Sequence, residues 1–206
     1  MSTYSERDEE DFILKFFGDQ ARGFFVDIGA FDGIRLSNTR ALALRGWAGV
    51  LVEPNPLTYT RLVENSHNAL CACVEAAITE IDSLNRLYID EGEAARCSLH
   101  DGMTKQFVRF GGNMRVVPTM TCAELVEQYD VPRTFDFLAV DAEGEDKSIL
   151  RHWPFTLAAP RLIMAEVMHD PLAVGKMSYL LAGRNYGMAW SNGYNAAWKQ
   201  LGEPAR

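Results

Sequence analysis

The stretch Phe24-Phe25-Val26-Asp27-Ile28-Gly29-Ala30-Phe31-Asp32-Gly33 decides the fold. Its apolar run, broken only by Asp27, stops at a glycine, as a buried parallel strand does where it enters a turn. Gly29 and Gly33 permit backbone conformations closed to other residues and allow close approach of a neighbour. A strand, a glycine turn and a following helix bring unpaired helix N–H groups beside the carboxylate that ends the strand. So short a glycine motif also fits a turn that needs glycine for geometry alone.

Outward from this turn the chain alternates. On the amino side, Ser5 is placed to cap a helix running to about Phe17, with Phe12, Ile13, Phe16 and Phe17 as its apolar stripe. On the carboxyl side, the spacing predicts a helix over about Leu36–Arg45, stopped by Gly46, then a second strand, Val50–Glu53, closed by Pro54 and Pro56. Leu57–Asn65 reads as a helix and Cys71–Ile78 as a third strand. Thr79–Pro118 is irregular, with a weak strand at Leu87–Ile89, and reads as an excursion over the sheet edge. Thr121 and Glu124 have capping-box spacing. Phe135–Val140 is a fourth strand, followed by a helix from about Asp146 to Trp153, and Arg161–Val167 is a fifth. A helix around Met177–Ala182 and a hairpin turning at Asn192–Gly193 end the chain. This alternation describes one doubly wound α/β, Rossmann-like domain over residues 1–206 with an excursion at about 79–118.

Composition narrows the function. Of 206 residues, 48% are hydrophobic, enough for a core without disulfide or metal staples. Twenty basic residues against 28 acidic ones give a net charge of −8, a field that repels phosphate backbones and anionic membrane surfaces. No apolar run approaches the ~20 residues of a membrane span. The start, MSTYSERDEEDF, is acidic where a secretory leader is basic and then apolar. Cys71, Cys73, Cys97 and Cys122 contain no C-x-x-C pair, so free thiols in a reducing cytoplasm are expected and structural zinc is not.

The acids indicate the ligand. Glu53 follows Gly33 by 53 − 33 = 20 residues, the offset at which a second-strand acid meets a ribose diol. An ion pair with Arg45 or Arg61 is the alternative use of that carboxylate. The turn holds no Lys or Arg, and Asp27 and Asp32 would repel a pyrophosphate. A ligand carrying cations and a ribose fits better, which favours S-adenosylmethionine over NAD.

FFVDIGAFDGIRLSNTRALALRGWAGVLVEPNP, together with FDFLAVDAEGEDKSIL and LIMAEV, resembles the FkbM-type S-adenosylmethionine-dependent methyltransferases. The resemblance runs from about Phe12 to the fifth strand. It implies the class I methyltransferase fold, a seven-stranded mostly parallel sheet whose last strand is antiparallel. It also implies that Asp27, Gly29, Ala30, Asp32 and Gly33 hold the methionine and ribose side of the cofactor, and Ser37, Asn38 and Thr39 its amino-acid end. Glu53 would bind the ribose hydroxyls, Pro54 and Asn55 would shape the adenine edge, and Ala76 and Ala77 would flank the ring. Asp141 would face the ammonium or the transferring methyl. Phe31 stands where the family usually has Asn, so its side chain has to point away from the cofactor.

Strand alternation puts Asp141 and Glu143 on one face at the edge where open α/β sheets bind ligands. Glu166 and His169 follow the fifth strand at the same edge. A base must accept the proton of an acceptor hydroxyl, and His169 or Glu143 is expected to do so while Asp141 orients the donor. A divalent ion held by Asp141, Glu143, Glu166 and His169 is the metal alternative; the expected site uses none. Trp190, Tyr194 and Trp198 serve the core or line an acceptor pocket. The reading is O-methylation of a small-molecule, sugar or polyketide-type acceptor, with no nucleic-acid or membrane partner and a homo-oligomer possible. A nicotinamide-dependent oxidoreductase and a non-catalytic scaffold are the competing readings.

Overall fold

Short runs of branched and aromatic residues form the parallel centre of one sheet, because both faces of those strands are covered by helices. The computed structural model describes residues 4–66, 70–80, 85–89, 97–98, 113–168, 170 and 172–202. In chain order these form α1 (Glu9–Phe17), β1 (Phe24–Ile28), α2 (Arg40–Leu44), β2 (Ala48–Val52), α3 (Pro56–Asn65), β3 (Cys71–Val74) and β4 (Ala77–Ile78). Then come β5 (Asn85–Ile89), β6 (Cys97–Ser98), β7 (Asn113–Val117), β8 (Thr119–Met120), α4 (Cys122–Gln128), β9 (Thr134–Val140) and α5 (Asp146–His152). The last elements are β10 (Ala159–Glu166), α6 (Ala173–Ala182), β11 (Tyr186–Ser191) and β12 (Asn195–Gln200).

The seven-stranded sheet has the order β11-β12-β10-β9-β1-β2-β3. From β3 to β10 the neighbours are parallel, and β12 runs antiparallel to both β10 and β11. The chain winds outward from β1 through β2 to β3 and returns to the other side of β1 at β9. The β1/β9 boundary is therefore the switch point, where such sheets open a crevice at the strands' carboxyl ends.

The two faces have separate cores. Ile13 and Phe17 of α1, Leu42 of α2 and Leu62 of α3 pack on Phe25, Leu51, Phe137, Leu162 and Met164. Leu125 of α4, Ile149 and Leu150 of α5, and Met177 and Leu181 of α6 pack on Val26, Val50, Leu138, Ile163 and Trp198. Thr121 caps α4 in a complete capping box with Glu124, as the spacing predicted.

Several boundaries differ from the sequence reading. The helix expected from Leu36 begins only at Arg40, because Phe31 and Leu36 take positive φ (52° and 59°) and hold residues 31–39 in turns. Ser5 does reach the first helix, its Oγ accepting from Glu10 N at 3.1 Å, but helical geometry starts at Glu9. The third strand is broken: Cys71–Val74 pairs with β2, whereas Ala77–Ile78 leaves the sheet to pair with β8. Within the excursion, β5 is longer than the weak strand expected there and sits between β6 and β7 in an antiparallel sheet. Among the described residues no helix is long and apolar enough to cross a membrane.

Candidate active site

Register decides which residues meet. Asp27 pairs with Leu51 on one side and Ala139 on the other, and Ala139 pairs with Met164. Side chains two residues apart share a face, so the next level up is Glu53, Gly29, Asp141 and Glu166. The ladder continues to that level, because Glu53 N donates to Val74 O at 3.0 Å and Asp141 N to Ile28 O at 2.8 Å. Glu166 lies opposite Asn195 of β12. Neighbouring strands thus carry a row of acids along one face of the carboxyl edge, with a notch at Gly29.

The notch is built into the backbone. Gly29 has φ +90°, and its N–H and that of Ala30 both donate to Val52 O at 2.9 Å. A β-carbon on Gly29 would collide with the carbonyl oxygen of Asp141. Close approach is thus the reason for glycine here, and what approaches is the β9 end of the same sheet. Gly33, at φ +72°, is likewise tight, a β-carbon there lying 2.7 Å from Leu62 Cδ1.

Most of the expected binding residues brace the crevice. Glu53 accepts from Phe31 N (3.0 Å), Asn55 N (2.9 Å) and Thr58 Oγ1 (2.8 Å), which ties the glycine turn to the start of α3. Asp32 Oδ1 accepts from Ile34 N and Arg35 N at 2.9 and 2.7 Å, closing its own turn. Thr39 donates to Asp27 Oδ2, and Ser37 Oγ accepts from Arg40 N at 3.0 Å. Asn55 is fully buried and caps α3 by accepting from Leu57 N, with Pro56 following at the first helical position. Ala30, Ala76 and Ala77 are buried, while Asn38 and Pro54 are half-buried at the rim.

Glu143 differs from its expected placement. The strand ends at Val140, and Glu143 and Gly144 both take positive φ (50° and 103°), so strand alternation does not extend to Glu143. The turn closes through Gly144 N, which donates to Asp146 Oδ2 at 3.3 Å. His169 lies outside the described residues.

Electrostatics mark the row as a place for positive charge. Burial pushes Asp27 up to about 7, with Asp141 adding to the rise and the Thr39 hydroxyl opposing it. Burial also takes Glu53 to about 7, against its three hydrogen bonds. Asp146 is carried to about 8 by burial and then by Asp141. Asp141 and Glu166 rise as well, each through burial first and then neighbouring carboxylates. Desolvated acids that raise one another in this way are relieved by a cationic ligand. Among the described residues no three His, Cys, Asp or Glu side chains come together to hold a metal ion. A sulfonium and an ammonium carry the positive charge that this row of acids favours.

Sheet order, switch point and acid-lined carboxyl edge define a class I S-adenosylmethionine-dependent methyltransferase. Residues 27–188 match the methyltransferase FkbM domain, and the chain belongs to that family. The fold is similar to a proposed caffeoyl-CoA O-methyltransferase from Staphylococcus aureus, at 12% identity and TM-score 0.58, covering 97% of this chain and 86% of that one. Precorrin-6y C5,15-methyltransferase from Geobacter metallireducens GS-15 aligns at 12% identity and TM-score 0.54, covering 98% and 93%. The N-terminal domain of human METTL16, solved in complex with S-adenosylhomocysteine (SAH), aligns at 10% identity and TM-score 0.52, covering 93% and 68%. No curated protein sequence matches this chain.

Three contributors were not picked out from the sequence as cofactor or catalytic residues. Thr58 donates to Glu53, Asp146 accepts from both Gly144 N and Glu166 N, and Glu9 lies fully buried beside the last strands. Of these, Asp146 had a readable signal, an acid in the first turn of the helix that follows the fourth strand.

Proposed function

We propose that this chain transfers the methyl group of S-adenosylmethionine to a hydroxyl of a small-molecule, sugar or polyketide-type acceptor. The observation that carries this reading is the one-faced acid row at the switch point, Glu53 and Asp141 flanking Gly29 with Asp27 one level below. When bound, S-adenosylmethionine supplies a methyl already activated on its sulfonium. The chain's own residues then align the reactants, exclude water and hold the departing proton.

Glu53 has about four acceptor positions and uses three within the fold, which leaves one for a ribose hydroxyl. Asp141, with Asp27 behind it, holds the donor's ammonium. Ala76 and Ala77 give the adenine an apolar wall. Glu143, in the turn beyond Asp141, or His169 takes the acceptor's proton. The acceptor is a small molecule or glycan rather than nucleic acid or membrane, in keeping with the net charge of −8. A second copy of the chain completing the pocket belongs to the same proposal.

Calorimetric titration with S-adenosylmethionine, SAH and NAD tests the donor. Binding of NAD in place of the first two would overturn the reading. An acceptor panel screened for methyl gain then tests the hydroxyl assignment, which fails if only amines are methylated.

A further inference from the structure

The family match spans residues 27–188, and the two segments that meet at the far end of the acid row both lie outside it. Residues 4–8 lead into α1 and pack over the turn between β11 and β12. Glu9, with no exposed surface, accepts through one oxygen from Nδ2 of Asn192 and Nδ2 of Asn195, each at 2.9 Å. Its other oxygen accepts from Arg7 N at 2.8 Å. Asn192 Nδ2 also reaches Asp8 Oδ1 at 2.9 Å. The Arg7 guanidinium lies 3.5 Å from the centre of the Tyr194 ring, and Phe12 stacks on Trp190 at 5.0 Å.

A terminal lock needs no more than this, but two observations tie it to the site. Asn195, the cross-strand partner of Glu166, is buried, and among the described residues its Oδ1 has no donor. With Nδ2 committed to Glu9, that oxygen is left as an acceptor beside the row. The charges of Glu6 and Glu9 also act on Asp141, and that of Glu6 acts on Glu166. Burial alone would raise the Glu9 carboxyl, yet the amides of Asn195 and Asn192 and backbone N–H groups hold it below its ordinary value.

We propose that residues 4–9 form part of the methyl-transfer site, with Glu9 as a positioning residue that latches them onto the β11–β12 turn and closes the acceptor end of the acid row. This rests on the methyltransferase reading. Acceptor choice is then set partly by residues outside the family match.

The test titrates SAH into the wild type, Glu9→Gln and Asn195→Leu between pH 5 and 8, with amide hydrogen exchange on the same samples. Asp141 feels the charges of Glu6 and Glu9 and in turn raises Asp27, Glu53, Asp146 and Glu166, the last of which Glu143 also raises; Glu9→Gln removes one negative charge from that set. Asp141 then stays ionised to lower pH, so the pH at which SAH binding fades moves down. Exchange over residues 4–10 and 191–195 should quicken roughly tenfold in both variants, about one hydrogen bond's worth, with β1 and β9 unchanged. Faster exchange with an unmoved binding profile would reduce the segment to a structural lock and overturn the proposal. Unchanged exchange would overturn the latch itself. A wild type that binds no SAH at any pH would sink the methyltransferase reading, and the proposal with it, while the exchange data still report the lock.

Discussion

The same strands end differently on their two faces. Toward α4, α5 and α6 they finish with Ile28, Val52, Val140 and Val167, all buried in one apolar cluster. Toward α1, α2 and α3 they finish with Asp27, Glu53, Asp141 and Glu166. One register step separates a sealed face from a charged crevice, so alternation alone decides which face can hold a ligand. The apolar face contributes stability at any pH, whereas the acid face is buried at a cost that protonation or a bound cation relieves.

The hardest way to break this contrast is Gly29→Val. Its side chain would have to enter the space of the Asp141 carbonyl from a left-handed backbone. We expect a loss above ~4 kcal/mol or failure to fold, read by circular dichroism melts. A folded variant that merely lost donor binding would mean that the glycine makes room for the ligand instead.

Glu53→Ala comes next. It removes the side-chain acceptor of Phe31 N and Asn55 N and leaves the Thr58 hydroxyl only the Asn55 carbonyl, and should cost about 2–4 kcal/mol in denaturant unfolding. Donor affinity should fall beyond what unfolding explains; an unchanged affinity would remove Glu53 from the ribose.

Sweeping pH sharpens the comparison further. Asp27, Glu53 and Asp146 titrate at about 7, 7 and 8 in the folded chain, far above the ordinary carboxylate range. Between about pH 4 and 7 the folded chain therefore retains protons that the unfolded chain has released, and the stability of the ligand-free protein falls as pH rises through that window. Donor binding has the opposite slope and strengthens as these acids ionise. Thermal melts with and without SAH at pH 5, 6, 7 and 8 should diverge with rising pH. Val140→Ala, on the apolar face, should cost about 1–3 kcal/mol equally at every pH.

The smallest effect belongs to Phe31. At φ 52° it occupies a conformation that Asn adopts more readily, which accounts physically for the family's usual residue there. Phe31→Asn should stabilise the ligand-free protein by up to ~1 kcal/mol in the same melts, and a destabilised variant would show that the ring's packing outweighs the backbone strain.

Much of this was legible in the sequence. The runs leading to Gly29, Glu53 and Asp141 announced the strands, and Asp27 inside the first run announced an acid with them, because a buried parallel strand is otherwise apolar on both faces. The helix beginning at Arg40 was hidden by Ser37 and Thr39, whose hydroxyls serve the turn and Asp27. Glu143 was misplaced because alternation says nothing once two successive residues turn left-handed. The contact of Glu9 with Asn192 and Asn195 spans nearly the whole chain, and local pattern carries no information about such a pair.

The β1–β9 pairing has a consequence for how the molecule assembles. Val26 lies beside Leu138, 138 − 26 = 112 residues away, whereas β1 and β2 are joined by a short connection. Closing so long a loop costs more than the local pairings within each half of the sheet, so we expect β1–β3 and β9–β12 to gather separately and to dock through β1 and β9. The active-site crevice does not exist until that docking. Asp27 and Asp141 meet only in the last stage, and the repulsion that readies the site for a cation also opposes its completion.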